Sequence, residues 1–215
     1  MTFRRFKRTL SAAALLAAVC EPILAAPTLK LLMFGTSLTQ GLGLPPGTEI
    51  PATLQKKLAA SGISVQVINA GVSGDTSADG ASRVDWSLAD RPDAAIVELG
   101  SNDALRGIDP VQTEKNIATV LTKLKAAHVP VLLLGMKAPR NLGTQYDAAF
   151  DAIYPRLAHR FDDILYPFIL EGVALNPNLN QADGIHPNPA GVQVIANGMF
   201  PYVQKLINEI PKDRH

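Results

Sequence analysis

Five short apolar runs, at residues 28–34, 63–69, 94–99, 131–135 and 164–168, are spaced along the chain with longer amphipathic stretches between them. Each run is nearly continuous rather than alternating, which is the pattern of a strand covered on both faces. Strands that alternate with helices are joined by crossovers, so they lie parallel with helices on either side of the sheet. The expected fold class is therefore α/β, a three-layer α/β/α sandwich around a five-stranded parallel sheet. The intervening stretches carry helix signals. Thr76 is placed to cap a helix over 77–89, and Asp109 precedes a proline at the first position of a helix over 110–127. In that helix Ile117, Val120, Leu121 and Leu124 form one apolar stripe. Helices are also expected over 51–60 and over 146–160, the latter kinked or split by Pro155. A last helix over 190–208 has Asn188 as its cap, Pro189 in its first turn and a kink at Pro201.

The amino terminus does not belong to this pattern. Arg4, Arg5, Lys7 and Arg8 form a basic cluster, an apolar run follows from Leu10 to Val19, and Ala25 and Ala26 precede Pro27. That is the layout of a secretory signal peptide over residues 1–25, with an apolar run too short to span a bilayer. Cleavage after Ala25 is preferred, because cleavage after Ala26 would place Pro27 directly beyond the scissile bond. A lipid anchor at Cys20 is disfavoured by Val19 beside it. Residues 26–215 then form one domain, periplasmic or secreted, expected to act as a monomer without stable membrane insertion. Removing the leader takes away the chain's one cysteine, so the mature chain has neither a disulfide nor a cysteine metal site. It also turns the apparent net charge of +1 mildly acidic. No basic run survives, which excludes nucleic acid as an expected partner.

Parallel sheets bind ligands outside the carboxyl ends of their strands. Three loops there hold small polar residues: Gly35-Thr36-Ser37-Leu38, then Ala70-Gly71-Val72-Ser73-Gly74-Asp75, then Gly100-Ser101-Asn102-Asp103. A fourth, Asp183-Gly184-Ile185-His186-Pro187, precedes the last helix. Small hydroxyl residues are ordinary after strands, and taken alone Ser37 is equally a turn residue or a nucleophile. Acyl transfer to a serine needs a hydroxyl near a base, a carboxylate that holds the base in one tautomer, and donors for the oxyanion. Elimination narrows the base. His128 sits at a helix end on the opposite edge of the sheet, His159 lies in a helix of mixed charge, and His215 is the last residue. His186 follows Asp183 at a spacing that lets a tight turn bring the carboxylate to Nδ1–H, and Pro187 favours an extended backbone there. The structural alternative is a turn whose aspartate only caps backbone N–H groups.

The four segments "FGTSLTQGLG" (34–43), "NAGVSGDTS" (69–77), "VELGSNDALRG" (97–107) and "DGIHPN" (183–188) resemble, in order and spacing, the sequence blocks of the SGNH (GDSL-type) hydrolases. The likeness is nearest to their bacterial periplasmic thioesterase, lysophospholipase and arylesterase group and covers nearly the whole mature chain. It implies a flavodoxin-like SGNH hydrolase fold and a serine esterase acting on small-molecule carboxylic esters and thioesters, fatty-acyl and aryl among them; no cofactor or metal is expected. By position it implies Ser37 as nucleophile, His186 as base and Asp183 as its orienting acid. It further implies an oxyanion hole made by the backbone N–H groups of Ser37 and Gly74 and the side-chain amide of Asn102. One residue departs from the family pattern: Thr36 stands where an acidic residue usually precedes the serine, and its hydroxyl is expected to support the turn.

Ser73 and Ser101 are the competing nucleophiles, but neither follows the first strand. Asp75 and Asp103 make a weak metal site without a histidine cluster and are expected to brace the loops of Gly74 and Asn102. Gly41, Gly43 and Gly47 fit neither a dinucleotide fingerprint nor a P-loop and are expected as turn residues around the mouth of the site. The segments 137–146 and 169–179 are expected to flank an apolar acyl site. Two other readings remain, a carbohydrate O-acetylesterase and a non-catalytic periplasmic binding domain. The first would want aromatic stacking platforms, and the chain has one tryptophan.

Overall fold

The computed structural model describes residues 28–211. The expected leader at 1–25, Cys20 within it and His215 lie outside these residues. Five strands, β1 (Leu29–Gly35), β2 (Val65–Gly71), β3 (Ala94–Val97), β4 (Val131–Leu134) and β5 (Ile164–Tyr166), form one parallel sheet in the order β2-β1-β3-β4-β5. The register sets Leu29 beside Val65 on one flank of β1 and Leu31 beside Ala94 on the other. The eight helices of the described residues are α1 (Ser37–Gln40), α2 (Ile50–Ala60), α3 (Ser77–Leu88), α4 (Ser101–Leu105), α5 (Pro110–Ala126), α6 (Thr144–Asp151), α7 (Ile153–Phe161) and α8 (Pro189–Asn208). Helices α2 and α8 pack together, while α3, α5 and α7 form a second layer.

The apolar runs do what their composition requires. Leu32, Met33, Phe34, Ile96, Val97, Leu132 and Leu133 are fully buried, and so is the α5 stripe of Ile117, Val120, Leu121 and Leu124. Thr76 closes a capping box with Asp79 at the start of α3, Asp109 Oδ1 accepts from the Val111 N–H, and Asn188 Oδ1 accepts from the N–H groups of Ala190 and Gly191. Strand order reverses between β1 and β3, so the loops after these strands diverge and open a crevice.

Several boundaries differ from the sequence pattern, and two of them have a clear local reason. β2 begins at Val65, because Ile63 still belongs to the turn that ends α2 and donates to the Leu58 carbonyl. As an edge strand β2 is also only partly covered. The expected helix over 146–160 breaks at Ala152 rather than at Pro155. A proline ring collides with the carbonyl four residues before it, so the break falls upstream and Pro155 sits in the first turn of α7, where no intrahelical N–H is needed. Helix α8 continues past Pro201. Among the described residues no helix is long and apolar enough to cross a membrane.

Asp163, between α7 and β5, is a carboxylate placed at a cost. Its Oδ2 is buried without a hydrogen-bond partner among the described residues. Burial lifts it from the ordinary 3.8 to about 7, against the pull of Lys125 and with the help of Asp162 and Glu209. A carboxyl raised in the folded state favours folding while protonated, and that contribution fades as pH climbs from about 4 through about 7. Asp163→Asn should therefore raise Tm at pH 8 by roughly 2–4 °C, the shift that ~1 kcal/mol gives in a domain of this size. The gain should shrink towards pH 5. Melting curves at both pH values check this, and an equal shift at both would reject it.

Candidate active site

The crevice is built from the four loops that the sequence singled out. Ser37 opens α1 directly after β1 and is only 8% exposed. Its Oγ lies 2.9 Å from His186 Nε2, although 149 residues separate the two in sequence. His186 Nδ1 lies 2.7 Å from Asp183 Oδ2. The turn that joins them is held by the other carboxylate oxygen, as Asp183 Oδ1 accepts from the N–H groups of Ile185 (2.9 Å) and His186 (3.0 Å). These bonds hold the Asp183 carboxyl down at about 2, the backbone and side chain of His186 contributing most. The backbone capping proposed as a structural alternative is thus present together with the imidazole contact. On either side of this turn, Gln181 N–H donates to the His186 carbonyl and Asn180 pairs with Pro187 across a short antiparallel bridge.

The remaining loops supply donors. Gly74 sits at φ +86°, a conformation that favours glycine, and the Arg106 guanidinium donates to its carbonyl at 2.8 Å. Asn102, in α4, donates one amide hydrogen to the Asp75 carbonyl at 2.9 Å, which leaves its second hydrogen uncommitted. Among the described residues neither the Ser37 N–H nor the Gly74 N–H donates a hydrogen bond. The rival hydroxyls are held elsewhere. Ser73 donates to the Gln40 side chain, and the Ser101 hydroxyl lies 3.2 Å from that of Thr36. Asp103 accepts from the Ser77 N–H (2.8 Å), the Ser77 hydroxyl (2.5 Å) and Thr113, so it ties α3 and α5 to α4. Asp75 forms an ion pair with Arg83 at 2.6 Å. Both aspartates brace the loops, and no cluster of three or more His, Cys, Asp or Glu side chains suited to a metal occurs among the described residues.

Two residues at the base of the site escaped the sequence reading. Glu98, 1% exposed, accepts from the Thr36 N–H (2.8 Å) and from the hydroxyls of Thr36 and Thr39. Burial raises its carboxyl above the ordinary range, and these donors oppose the rise. Thr36 thus anchors the Ser37 turn to a carboxylate that β3 brings alongside it. The detectable signal was an acidic residue closing an otherwise apolar strand run. Arg83, from α3, lies over the Phe34 ring and donates to the carbonyls of Gly35 (2.8 Å) and Ala70 (3.0 Å) while paired to Asp75. One guanidinium therefore joins the ends of β1 and β2 to the Gly74 loop. No local sequence pattern announces such a contact.

Beside Ser37 a cleft of about 520 Å³ runs over the ends of β3, β4 and β5. Leu105, Met136, Phe168, Leu170, Ala174 and Leu175 give it an apolar wall, and Leu175 stands 94% exposed at its rim. The expected flanking segments meet here. Gly41, Gly43 and Gly47 do adopt positive φ, but they turn the chain between α1 and α2 and do not line the cleft.

The GDSL-like lipase/acylhydrolase family matches residues 33–194. The chain is 42% identical to the thioesterase 1/protease 1/lysophospholipase L1 of Escherichia coli strain K12, over 83% of this chain and 85% of that protein. Among solved structures, TesA is 40% identical, covering 82% of this chain and 99% of its own, with a TM-score of 0.79. The SGNH-hydrolase family esterase AlinE4 is 44% identical over 83% of this chain and 96% of its own, with a TM-score of 0.71.

Proposed function

Because the chain belongs to the GDSL-like lipase/acylhydrolase family, and is thereby an ester or thioester hydrolase, we propose that Ser37 is its nucleophile, His186 its general base and Asp183 the group that orients the base. The observation that carries this reading is the unbroken hydrogen-bond chain Asp183–His186–Ser37, with steps of 2.7 and 2.9 Å. His186 Nε2 takes the Ser37 proton as Oγ attacks the acyl carbon. The Ser37 and Gly74 N–H groups and the free Asn102 hydrogen receive the developing oxyanion. His186 then gives its proton to the leaving alcohol or thiol, and water releases the acyl group by the same steps in reverse. Asp183 accepts from Nδ1–H throughout, so Nε2 remains the nitrogen that accepts.

The apolar cleft wall supports acyl chains longer than acetyl, and the relative named a thioesterase and lysophospholipase supports both ester classes. The test is a series of p-nitrophenyl esters and acyl thioesters of graded chain length, assayed after dialysis against a chelator. Turnover should survive dialysis and rise beyond acetyl. A peak at acetyl with sugar acetates preferred would favour the O-acetylesterase, and no turnover would favour a binding domain. The proposal extends to residues 1–25 as a secretory leader and 26–215 as a single domain, placing a monomeric enzyme in the periplasm or outside the cell.

Asn102 separates catalysis from bracing. Asn102→Ala should lower kcat by about 10²–10³ with little change in KM, because the oxyanion forms fully only in the transition state. Asn102→Asp should be at least as damaging, since a carboxylate repels the oxyanion. If the bond to Asp75 were its whole role, Tm would fall and kcat would follow only the folded fraction. Both quantities can be measured on one preparation.

A further inference from the structure

The acyl-transfer scheme leaves one hydroxyl of the cleft unused. Ser101 opens α4, is partly exposed and lines the same cleft as Ser37, Asn102 and the apolar wall. What its side chain offers a ligand follows from counting hydrogens. Glu98 collects the Thr36 N–H and the hydroxyls of Thr36 and Thr39, so it is the acceptor of that group. Thr36 has a single hydroxyl hydrogen and gives it to Glu98. Across the 3.2 Å to Ser101, Thr36 Oγ1 therefore accepts, and the Ser101 hydrogen fills that contact. Ser101 Oγ keeps its lone pairs, with no donor to them among the described residues. A carboxylate buried under the Ser37 turn thus fixes, through two hydroxyls, the polarity of an atom in the cleft. That atom is an acceptor.

Position says which part of a substrate meets it. Ser101 is next in sequence to Asn102, and its partner Thr36 is next to Ser37. Neighbouring Cα atoms are about 3.8 Å apart, so Ser101 lies close to the reacting carbonyl and away from the far end of a bound chain. The cleft it lines is the one whose apolar wall receives the acyl group. We propose that Ser101 Oγ selects acyl groups that carry a hydroxyl on their α or β carbon, accepting its hydrogen. The rest of the chain then lies on the Met136, Phe168 and Leu170 wall. A plain acyl chain would cover the Ser101 lone pairs and strip their water without replacing it, whereas a hydroxyl satisfies them. This rests on the acyl-hydrolase reading above and deepens it by naming the acyl class.

The test uses the full-length protein and its variants Ser101→Ala and Thr36→Val. The substrates are ethyl octanoate, single enantiomers of its α-hydroxy, β-hydroxy and β-methoxy derivatives, and the glycol monoester of octanoate. The readout is the ratio of kcat/KM for each substituted ester to that for ethyl octanoate. For the α- or the β-hydroxy ester the ratio should fall about 3–10-fold in Ser101→Ala, the worth of one neutral hydrogen bond. The β-methoxy ester, which has no hydrogen to give, should show no such fall. Thr36→Val frees the Ser101 hydrogen to turn into the cleft, and should raise the β-methoxy ratio towards the β-hydroxy one. Unchanged hydroxy-ester ratios in Ser101→Ala would overturn the proposal, and so would an equal fall for the methoxy ester. A fall for the glycol monoester alone would overturn the acyl placement and put the hydroxyl on the alcohol side. Failure of the wild type to hydrolyse any of these esters would count against the acyl-hydrolase reading itself and take the proposal with it.

Discussion

Ser37→Ala should lower kcat by about 10⁶ while the protein stays folded, because removing the proposed nucleophile would forfeit nearly all that the proposed triad contributes. Little structural cost accompanies the change. The side chain is small, its one recorded bond is to His186, and the turn around it is held by the Thr36 contacts to Glu98. Residual turnover, if measurable, would come from water activated by His186 beside intact oxyanion donors. An organophosphonate should label the wild type and spare the variant. Labelling of Ser73 or Ser101 in the variant at the wild-type rate would move the nucleophile and overturn the scheme. Their observed partners, the Gln40 side chain and the Thr36 hydroxyl, argue against either.

Asp183→Asn should cost about 10⁴ in kcat, and should be more harmful than Asp183→Ala. The reasoning turns on the tautomer. Two backbone N–H groups already point at Asp183 Oδ1, so in the asparagine variant the amide oxygen stays there and the amide nitrogen faces His186 Nδ1. Nδ1 must then accept, the ring proton moves to Nε2, and Nε2 can no longer take the Ser37 proton. With alanine, by contrast, water can enter and accept from Nδ1–H, since the Asp183 side chain is 44% exposed and the site is open to solvent. Ordinary screening at that exposure also makes orientation weigh more than charge. If the two variants lost activity equally, or alanine lost more, the carboxylate's charge and not its geometry would be the dominant contribution.

The sheet was legible because burying a strand on both faces demands near-continuous apolar residues, and short runs such as Leu31–Phe34, bounded by turn residues, fit that demand. Boundaries were less legible, since they are decided by tertiary contacts. Ile63 is as apolar as Val65, yet the turn after α2 claims it. In the same way the position of a proline does not show where its helix divides. The placement of Asp183 near His186 could be read because both lie in one turn. Glu98 and Arg83 could not, because each acts on chain segments brought to it by the sheet, Glu98 across 62 residues to Thr36 and Arg83 across 48 to Gly35. Thr36 illustrates the difference. From sequence it is a departure from a family habit; in the structure its hydroxyl and N–H both answer to a carboxylate in the neighbouring strand.

On the proposed scheme the nucleophile comes from the first strand's loop and its base from the turn before the last helix. A polypeptide emerging from a ribosome therefore carries Ser37 for most of its synthesis without the residue proposed to deprotonate it. The chain gains hydrolytic competence at the end, when residues 183–186 arrive and α8 closes against α2 and β5. A single cut between β5 and residue 183 that releases the tail would return the molecule to that silent state.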